Sequence, residues 1–322
     1  MKRRTMIACG IIALLFVLLI GRLIYFSIFK NGIYKRQVLS QQNYSSETLP
    51  YKRGDILDRD GNTLATSQKM YTLVLEPKNI LRSEEVQKST IDALHKYMKL
   101  DEDKLLKFIK RHKDSYYSVY REELSYSQIA DLKDFIASDK AENVSGIVFN
   151  EKYKRRYPNQ SLASQVIGFV SDGTIGTGGI EQYYNSTLSG VDGRKYKYLN
   201  EELEQDSSIV EPENGKTVVT TIDSNIQKLA EDQLSKFEKK YGSKGSSILV
   251  MNPNNGEIYA MANSTSYNLE SPRDDKNLLK KYSQSQVNKM SEKEKTKAFN
   301  EIWKNPIVSL SLIHISEPTR LQ

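Results

Sequence analysis

The apolar positions of this chain fall into two regimes. From 6 to 29 they are nearly continuous, interrupted by Gly10, Gly21, Ser27 and a single charge, Arg22. A helix that crosses a bilayer needs about 20 such residues. No small-x-small cleavage site follows, so the run predicts a retained transmembrane anchor rather than a removed leader. Arg22 lies near its outer end, where a long cationic side chain reaches the interface, and Tyr25, Phe26 and Phe29 supply an aromatic belt there. Beyond 30 the apolar residues thin into short patterns of period 2 or 3.6. Residues 31–49 are polar and helix-compatible. Residues 55–59 and 63–66 flank Asp60-Gly61, the signature of a tight hairpin. Residues 71–77, 146–150 and 194–199 read as strands. Residues 83–98 carry Val86, Ile91 and Leu94 on one helical face, residues 101–112 carry Leu105, Phe108 and Ile109, and 127–135 predicts a shorter helix. Residues 201–214 read as an acidic, polar connector.

The stretch 215–263 is the most organised. Residues 217–222 predict a strand, and Asp223 caps the helix that follows, with Ser224 and Gln227 also fitting a capping box. Ile226, Leu229, Ala230, Leu234 and Phe237 recur at helical spacing and predict one apolar face. Gly242 and Gly245 end that helix. Residues 247–251 and 257–262 predict a second hairpin around Asn252-Pro253-Asn254-Asn255-Gly256. Residues 278–301 are polar and helix-compatible. The fold class read from these patterns is α+β, and 322 residues suit roughly two domains.

Charge and cysteine content narrow the function classes. The net charge is +7, but beyond the N-terminus the basic residues are interleaved with Asp and Glu, so nucleic acid is not an expected partner. Lys2, Arg3 and Arg4 put the N-terminus in the cytoplasm and everything beyond 30 outside. The densest basic cluster, 152–156, is expected to be a solvated strand edge. Cys9 is the only cysteine, which excludes an intrachain disulfide and a cysteine-based metal site. His95 and His112 lie in polar helical segments and are expected at the surface. No metal or cofactor is implied. Tyr116, Tyr117 and Tyr120 form an aromatic cluster, expected to pack between helix and sheet, with a glycan platform as the rival reading.

Three motifs are more specific than periodicity. Residues 53–65, R-G-D-I-L-D-R-D-G-N-T-L-A, resemble the first motif of the non-catalytic pedestal, or dimerisation, domain of class B penicillin-binding proteins. Arg156-Tyr157-Pro158, then Gly178-Gly179-Ile180-Glu181 with Tyr184 and 188–190 (L-S-G), resemble its later motifs. T-I-D-x-x-I-Q at 221–227 and V-M-N-P-x-x-G-E-I-Y-A-M-A at 250–262 resemble the opening of the transpeptidase domain. The resemblance implies an α+β architecture with a cytoplasmic tail and transmembrane helix (1–30), a mixed α/β pedestal (31–210) and the truncated start of a transpeptidase domain (211–309). Its structural pedestal residues would be Arg53, Gly54, Asp58, Arg59, Gly61, Arg156, Tyr157, Pro158, Gly179 and Glu181, with at least one buried Arg–acid pair among the charged ones.

The implied activity of the intact parent is serine-type D-Ala-D-Ala transpeptidation of the bacterial cell wall. Its expected ligands are peptidoglycan stem peptides and β-lactams, and its expected partners are the membrane and other cell-wall synthesis proteins such as a glycosyltransferase. That chemistry needs a serine activated by a lysine in S-x-x-K, with S-x-N and K-T-G elements. Ser27-Ile28-Phe29-Lys30, Ser266-Tyr267-Asn268 and Lys216-Thr217-Val218 match only formally. The catalytic motifs are therefore expected beyond Ser309, and the chain as given is expected to be inactive. Residues 310–322 resemble the translation of a transposon end used in sequencing libraries and are set apart from the fold. Without the nucleophile, residues 215–309 are expected to be poorly ordered or aggregation-prone, while 51–199 folds alone. The alternative function is a membrane-tethered scaffold without catalysis.

Overall fold

The structure is a computed structural model that describes residues 15–20, 45–171, 173–199, 205–243 and 245–307. The chain forms two compact units, one from 1–50 and 192–213, the other from 51–191 and 214–322. In the first unit, residues 15–20 are helical, with exposed apolar side chains. The rest of the expected span 6–29 lies outside the described residues. Among the described residues no helix is long and apolar enough to cross a membrane. The other elements described in this unit form a three-stranded antiparallel sheet of β1 (Ser45–Leu49), β8 (Gly193–Leu199) and β9 (Gln205–Val210), with β8 in the middle. Two expectations change here. Residues 45–49 are strand rather than helix, and much of the expected connector is β9. Both are polar stretches whose backbone groups are satisfied by β8, so ladder pairing overrides side-chain character.

The second unit is built on a five-stranded sheet containing β2 (Ile56–Leu57), β3 (Thr63–Leu75), β4 (Ser118–Leu124), β5 (Ile147–Arg156) and β10 (Val218–Val219). The hairpin expected at Asp60-Gly61 joins β2 to β3. The two strands expected at 63–66 and 71–77 are one thirteen-residue strand. Ser67, Gln68 and Lys69 do not interrupt it, because β5 pairs with β3 without a break from Thr66↔Arg156 to Leu75↔Ile147. Of the strand expected at 217–222 only β10 forms, running parallel to β2.

Helices Glu84–Met98, Glu102–Arg111 and Tyr126–Ile136 cover one end of this sheet. Leu94, Leu105, Ile109 and Ile129 pack against Leu73, Leu75 and Leu124 in a closed core. The first two helices start on Ser83 and Asp101, whose side chains accept from Val86 N and Lys104 N. Tyr120 packs edge-on against Phe108 with centroids 5.0 Å apart. Tyr116 and Tyr117, expected to pack with it, are 57% and 60% exposed.

A second core binds residues from both sides of the expected boundary at 210. Ile56, Leu64, Tyr157, Phe169 and Leu188 pack with Tyr267, Leu278, Val287, Phe299 and Ile302. The short helix Ser164–Ile167 is the connecting piece. Tyr267 donates its backbone N–H to Ser164 Oγ (3.2 Å) and its hydroxyl to the Ser164 carbonyl (3.0 Å). Gln165 Nε2 donates to the carbonyls of Thr265 and Ile302. Ala163 N donates to Glu231 Oε1 at 2.8 Å. Residues 265–303 thus fold against 157–188, in contrast to the expected disorder of that region.

Helix Ser224–Tyr241 lies on the hairpin of β11 (Ser247–Met251) and β12 (Ile258–Asn263), with Ala230 and Leu234 against Ala260 and Ala262. Its cap is Asp223, which accepts from Asn225 N and Ile226 N. Leu229 and Phe237, expected on the inner face, are exposed. Gln227 occupies the inner position instead, exchanging bonds with the Met261 carbonyl and N–H at 3.1 and 2.7 Å.

The chain segments 52–59, 187–188 and 215–222 are zipped together by backbone bonds. They include Gly54 N to Leu188 O, Gly215 N to Lys52 O, Lys216 N to Thr187 O and Val218 N to Asp55 O. This close approach requires glycine at 54, because a Cβ there would sit 2.0 Å from the Lys216 carbonyl oxygen. Gly54→Ala should therefore lower stability in urea unfolding by about 1–3 kcal/mol through forced separation of these strands. Gly245→Ala, in open space, should leave the midpoint unchanged.

Candidate functional site

The densest polar feature of the second unit is a buried lattice around the Glu181 carboxylate. Glu181 is 0% and Arg53 4% exposed, and Arg53 meets it twice, through Nε at 2.8 Å and Nη2 at 2.7 Å. Arg155 Nε takes the other carboxylate oxygen at 2.7 Å. The Tyr157 hydroxyl also points at that oxygen, 3.4 Å away. Burial, reinforced by the Glu181 charge, pushes the Tyr157 phenol well above its ordinary range, so it stays protonated.

Two guanidiniums against one carboxylate leave a net positive charge in a dry place, which is costly unless other dipoles face it. Backbone carbonyls and hydroxyls do so here. Arg53 also donates to the carbonyls of Glu181 (3.0 Å) and Thr174 (3.2 Å) and to Ser189 Oγ (2.9 Å). Arg155 donates to the Gly54 carbonyl (2.8 Å) and Ser67 Oγ (3.1 Å), and its Nη2 alone has no partner. Glu181 reaches this position from helix Gly179–Tyr183. Gly179 (φ +50) starts the helix where a Cβ would lie 2.2 Å from the Val166 carbonyl oxygen.

A second node sits at the tip of the first hairpin. Asp58, fully buried, accepts from Asp60 N (2.9 Å), Asn62 N (2.8 Å), Asn62 Nδ2 (2.9 Å) and Ser224 Oγ (2.6 Å). Burial works against its charge, but the Ser224 hydroxyl, the Asn62 amide and the two backbone N–H groups outweigh it. They hold the carboxyl down to about 2. Arg59 lays its guanidinium over the Tyr259 ring at 4.4 Å and donates its backbone N–H to Ile222 O. Gly61 completes the turn. The hairpin therefore grips the start of helix Ser224–Tyr241.

The structure brings together Arg53, Gly54, Tyr157, Gly179 and Glu181 in one cluster, and Asp58, Arg59 and Gly61 in the other. Arg156 belongs to neither. It lies half-exposed, bonded to Gln68 (3.1 Å) and Glu270 (3.2 Å), and Pro158 opens an exposed turn. The second guanidinium of the lattice is Arg155, inside the cluster expected to be a solvated edge. β5 is indeed an edge strand, but alternation turns Arg155 inward against Ser67 while Lys154 and Arg156 point the other way. The adjacent Arg155-Arg156 pair on a strand was the available signal, since only one of two neighbours can face inward.

These clusters are built to hold segments together and offer no nucleophile–base pair. A serine–lysine contact exists elsewhere. Lys280 Nζ lies 3.0 Å from Ser266 Oγ and 2.7 Å from the Ser266 carbonyl. Burial pushes Lys280 down, and the Glu231 charge opposes it. An ammonium that donates to both oxygens of one residue is a cap on that turn, not a base. His95 and His112 each place Nδ1 against a carbonyl, of Leu100 and Phe108. Among the described residues no group of three or more His, Cys, Asp or Glu is placed to hold a metal ion.

Comparison with known proteins matches residues 48–220 to the Penicillin-binding Protein dimerisation domain. Stage V sporulation protein D of Bacillus subtilis is 28% identical over 77% of this chain and 39% of its own length. The peptidoglycan D,D-transpeptidase FtsI of Buchnera aphidicola is 28% identical over 81% of the chain and 45% of its own. The solved structure of Penicillin Binding Protein 2X from Streptococcus thermophilus superposes with a TM-score of 0.59 at 25% identity, over 70% of this chain and 36% of that one. The chain thus spans less than half the length of these relatives.

Removing one member of the lattice strands the others. Glu181→Gln or Arg155→Met should cost about 3–5 kcal/mol in urea unfolding, whereas Arg156→Met, in a half-exposed pair, should cost at most about 1 kcal/mol. Asp58 has a depressed folded-state pKa, so its stabilising contribution is present above the ordinary value of 3.8 and fades as pH falls towards about 2. The stability gap between wild type and Asp58→Asn should accordingly close across that window. A gap that stays constant with pH would contradict the assignment.

Proposed function

The chain belongs to the penicillin-binding protein dimerisation-domain family, and from that premise we propose that it is the N-terminal part of a membrane-anchored, class B peptidoglycan D,D-transpeptidase. In this reading 51–191 is the non-catalytic pedestal and 214–307 the first elements of the transpeptidase domain. The observation that carries it is the Glu181 lattice. Arg53, Tyr157 and Glu181 come from the three separated motifs that resemble the family, 53–65, 156–158 and 178–181, Arg155 directly precedes the second, and all meet at one carboxylate.

The intact parent would use a serine activated by a lysine to open the D-Ala-D-Ala bond of a stem peptide. It would release D-Ala and pass the acyl group to an amine of a neighbouring peptide, with an oxyanion hole holding the tetrahedral intermediate. β-Lactams would acylate the same serine. The pedestal residues take no part in that chemistry. They hold helix Ser224–Tyr241 and the segment 265–303 in fixed relation to the pedestal sheet. Residues 6–29 would anchor the protein with its N-terminus in the cytoplasm, where the adjoining Lys2, Arg3 and Arg4 favour that orientation. A scaffold role among cell-wall synthesis proteins is the second reading, favoured by the Glu181 and Asp58 clusters, which join distant segments.

Fluorescent penicillin separates the two readings. The chain as given should not be labelled covalently. A chain continued by its native sequence past Ser309 should be labelled, and replacing the serine of its S-x-x-K should abolish this. Denaturation-resistant labelling of the chain as given, lost in Ser266→Ala, would instead make Ser266 and Lys280 a working pair.

A further inference from the structure

Tyr116 and Tyr117 are unusually exposed for large rings, and they are also held in place. Ser115 fixes the turn that carries them. Its hydroxyl accepts from Tyr117 N at 3.1 Å and donates to the Tyr117 carbonyl at 2.9 Å. Its N–H bonds His112 O, and its carbonyl accepts from Lys78 N. The Tyr117 hydroxyl accepts from Asn150 Nδ2 at 3.1 Å. Lys78 Nζ sits over the Tyr116 ring, 4.5 Å from its centroid. Directly before this turn, residues 110–115 line a shallow recess of about 340 Å³. They present Lys110, Arg111 and Lys113 against one acid, Asp114, and the charged members are exposed.

Basic residues in a last helical turn have an ordinary role, because they complement the carbonyl end of the helix. That role explains Lys110 and Arg111. It explains neither Lys113, which lies beyond the helix, nor two exposed tyrosines on a turn held by five hydrogen bonds. A protein interface would place an apolar core behind the rings, whereas the recess here is polar and charged. Aromatic faces beside exposed cations suit a ligand with flat apolar faces and anionic groups.

We infer that the turn 110–117, with Lys78, is a binding platform for an anionic saccharide polymer. The rings of Tyr116 and Tyr117 would stack on pyranose faces, and Lys78, Lys110, Arg111 and Lys113 would pair with the carboxylates or phosphates along the polymer. The choice of a saccharide over a nucleic acid, which the same chemistry also attracts, rests on the cell-wall reading proposed above. The platform shares no residue with the Glu181 lattice or with 214–307, so it would add a hold on the surrounding polymer without entering the reaction.

The test is a fluorescence-polarisation titration of the full chain with labelled oligogalacturonate, uncharged chito-oligosaccharide, and single-stranded DNA of matched charge. Oligogalacturonate should bind saturably, more tightly than either control, and more weakly when salt is raised to about 0.15 M. Tyr116→Ala combined with Tyr117→Ala should weaken it by about tenfold or more, the loss of two stacking faces. Tyr116→Phe should keep the affinity, and Lys110→Gln with Lys113→Gln should reduce both affinity and salt dependence. These side chains are on the surface, so all variants should melt with the wild type. The inference is overturned by absent binding, by binding that the double tyrosine variant leaves intact, or by DNA binding as tight and as dependent on the same rings. None of these outcomes touches penicillin labelling, which tests the parent reading on its own.

Discussion

The second unit depends on one buried carboxylate. Glu181 neutralises part of the charge of Arg53 and Arg155, and each arginine then uses its remaining donors on backbone carbonyls and serine hydroxyls from other segments. A guanidinium presents five donors in a fixed plane, so a buried one forces every segment around it into register. Such a lattice adds little net stability compared with a well-packed apolar core, but it is intolerant of partial assembly. The segment leading into β2, the end of β5, the turn at Thr174 and helix Gly179–Tyr183 must all be in place before any of them is satisfied.

Rigidity set this way passes to 214–307 by three routes. The backbone zipper joins 52–59 to 215–222. Asp58 and Arg59 clasp Ser224 and Tyr259. Helix Ser164–Ile167 takes hold of Glu231, Thr265, Tyr267 and Ile302. These contacts fix the elements of 214–307 against the sheet of β2 to β5 at several separate points. The pedestal motifs are then understandable as geometry carried from one part of the chain to the next.

Much of the architecture was legible along the chain. The hairpin at Asp60-Gly61, the helices over 83–98 and 101–112, the Asp223 cap and the hairpin around 252–256 follow from local rules of spacing and turn chemistry, which act over a few residues. Misreadings arose where pairing or packing came from far away. Polar β1 and β9 are strands because β8 satisfies them. Ser67, Gln68 and Lys69 stay in one long strand because β5 runs alongside. Leu229 and Phe237 fit a helical stripe, but Gln227 is turned inward by the Met261 backbone. Periodicity registers which residues share a face and is silent on which face meets a neighbour.

The site divides along the same line. The sequence by itself determined that Arg53, Glu181 and Tyr157 stand in motifs where charge is embedded among glycines and β-branched residues, and that an Arg–acid pair should be buried there. Only the tertiary structure decided that the second arginine is Arg155 and not Arg156, that Asp58 answers to Ser224 from 166 residues away, and that 265–303 shares a core with 157–188. The physical reason is range. Propensity, capping and turn geometry are written in neighbouring residues, whereas a buried charge is satisfied by whichever dipoles the fold delivers from distant segments, and those distances exist only once the chain has closed on itself.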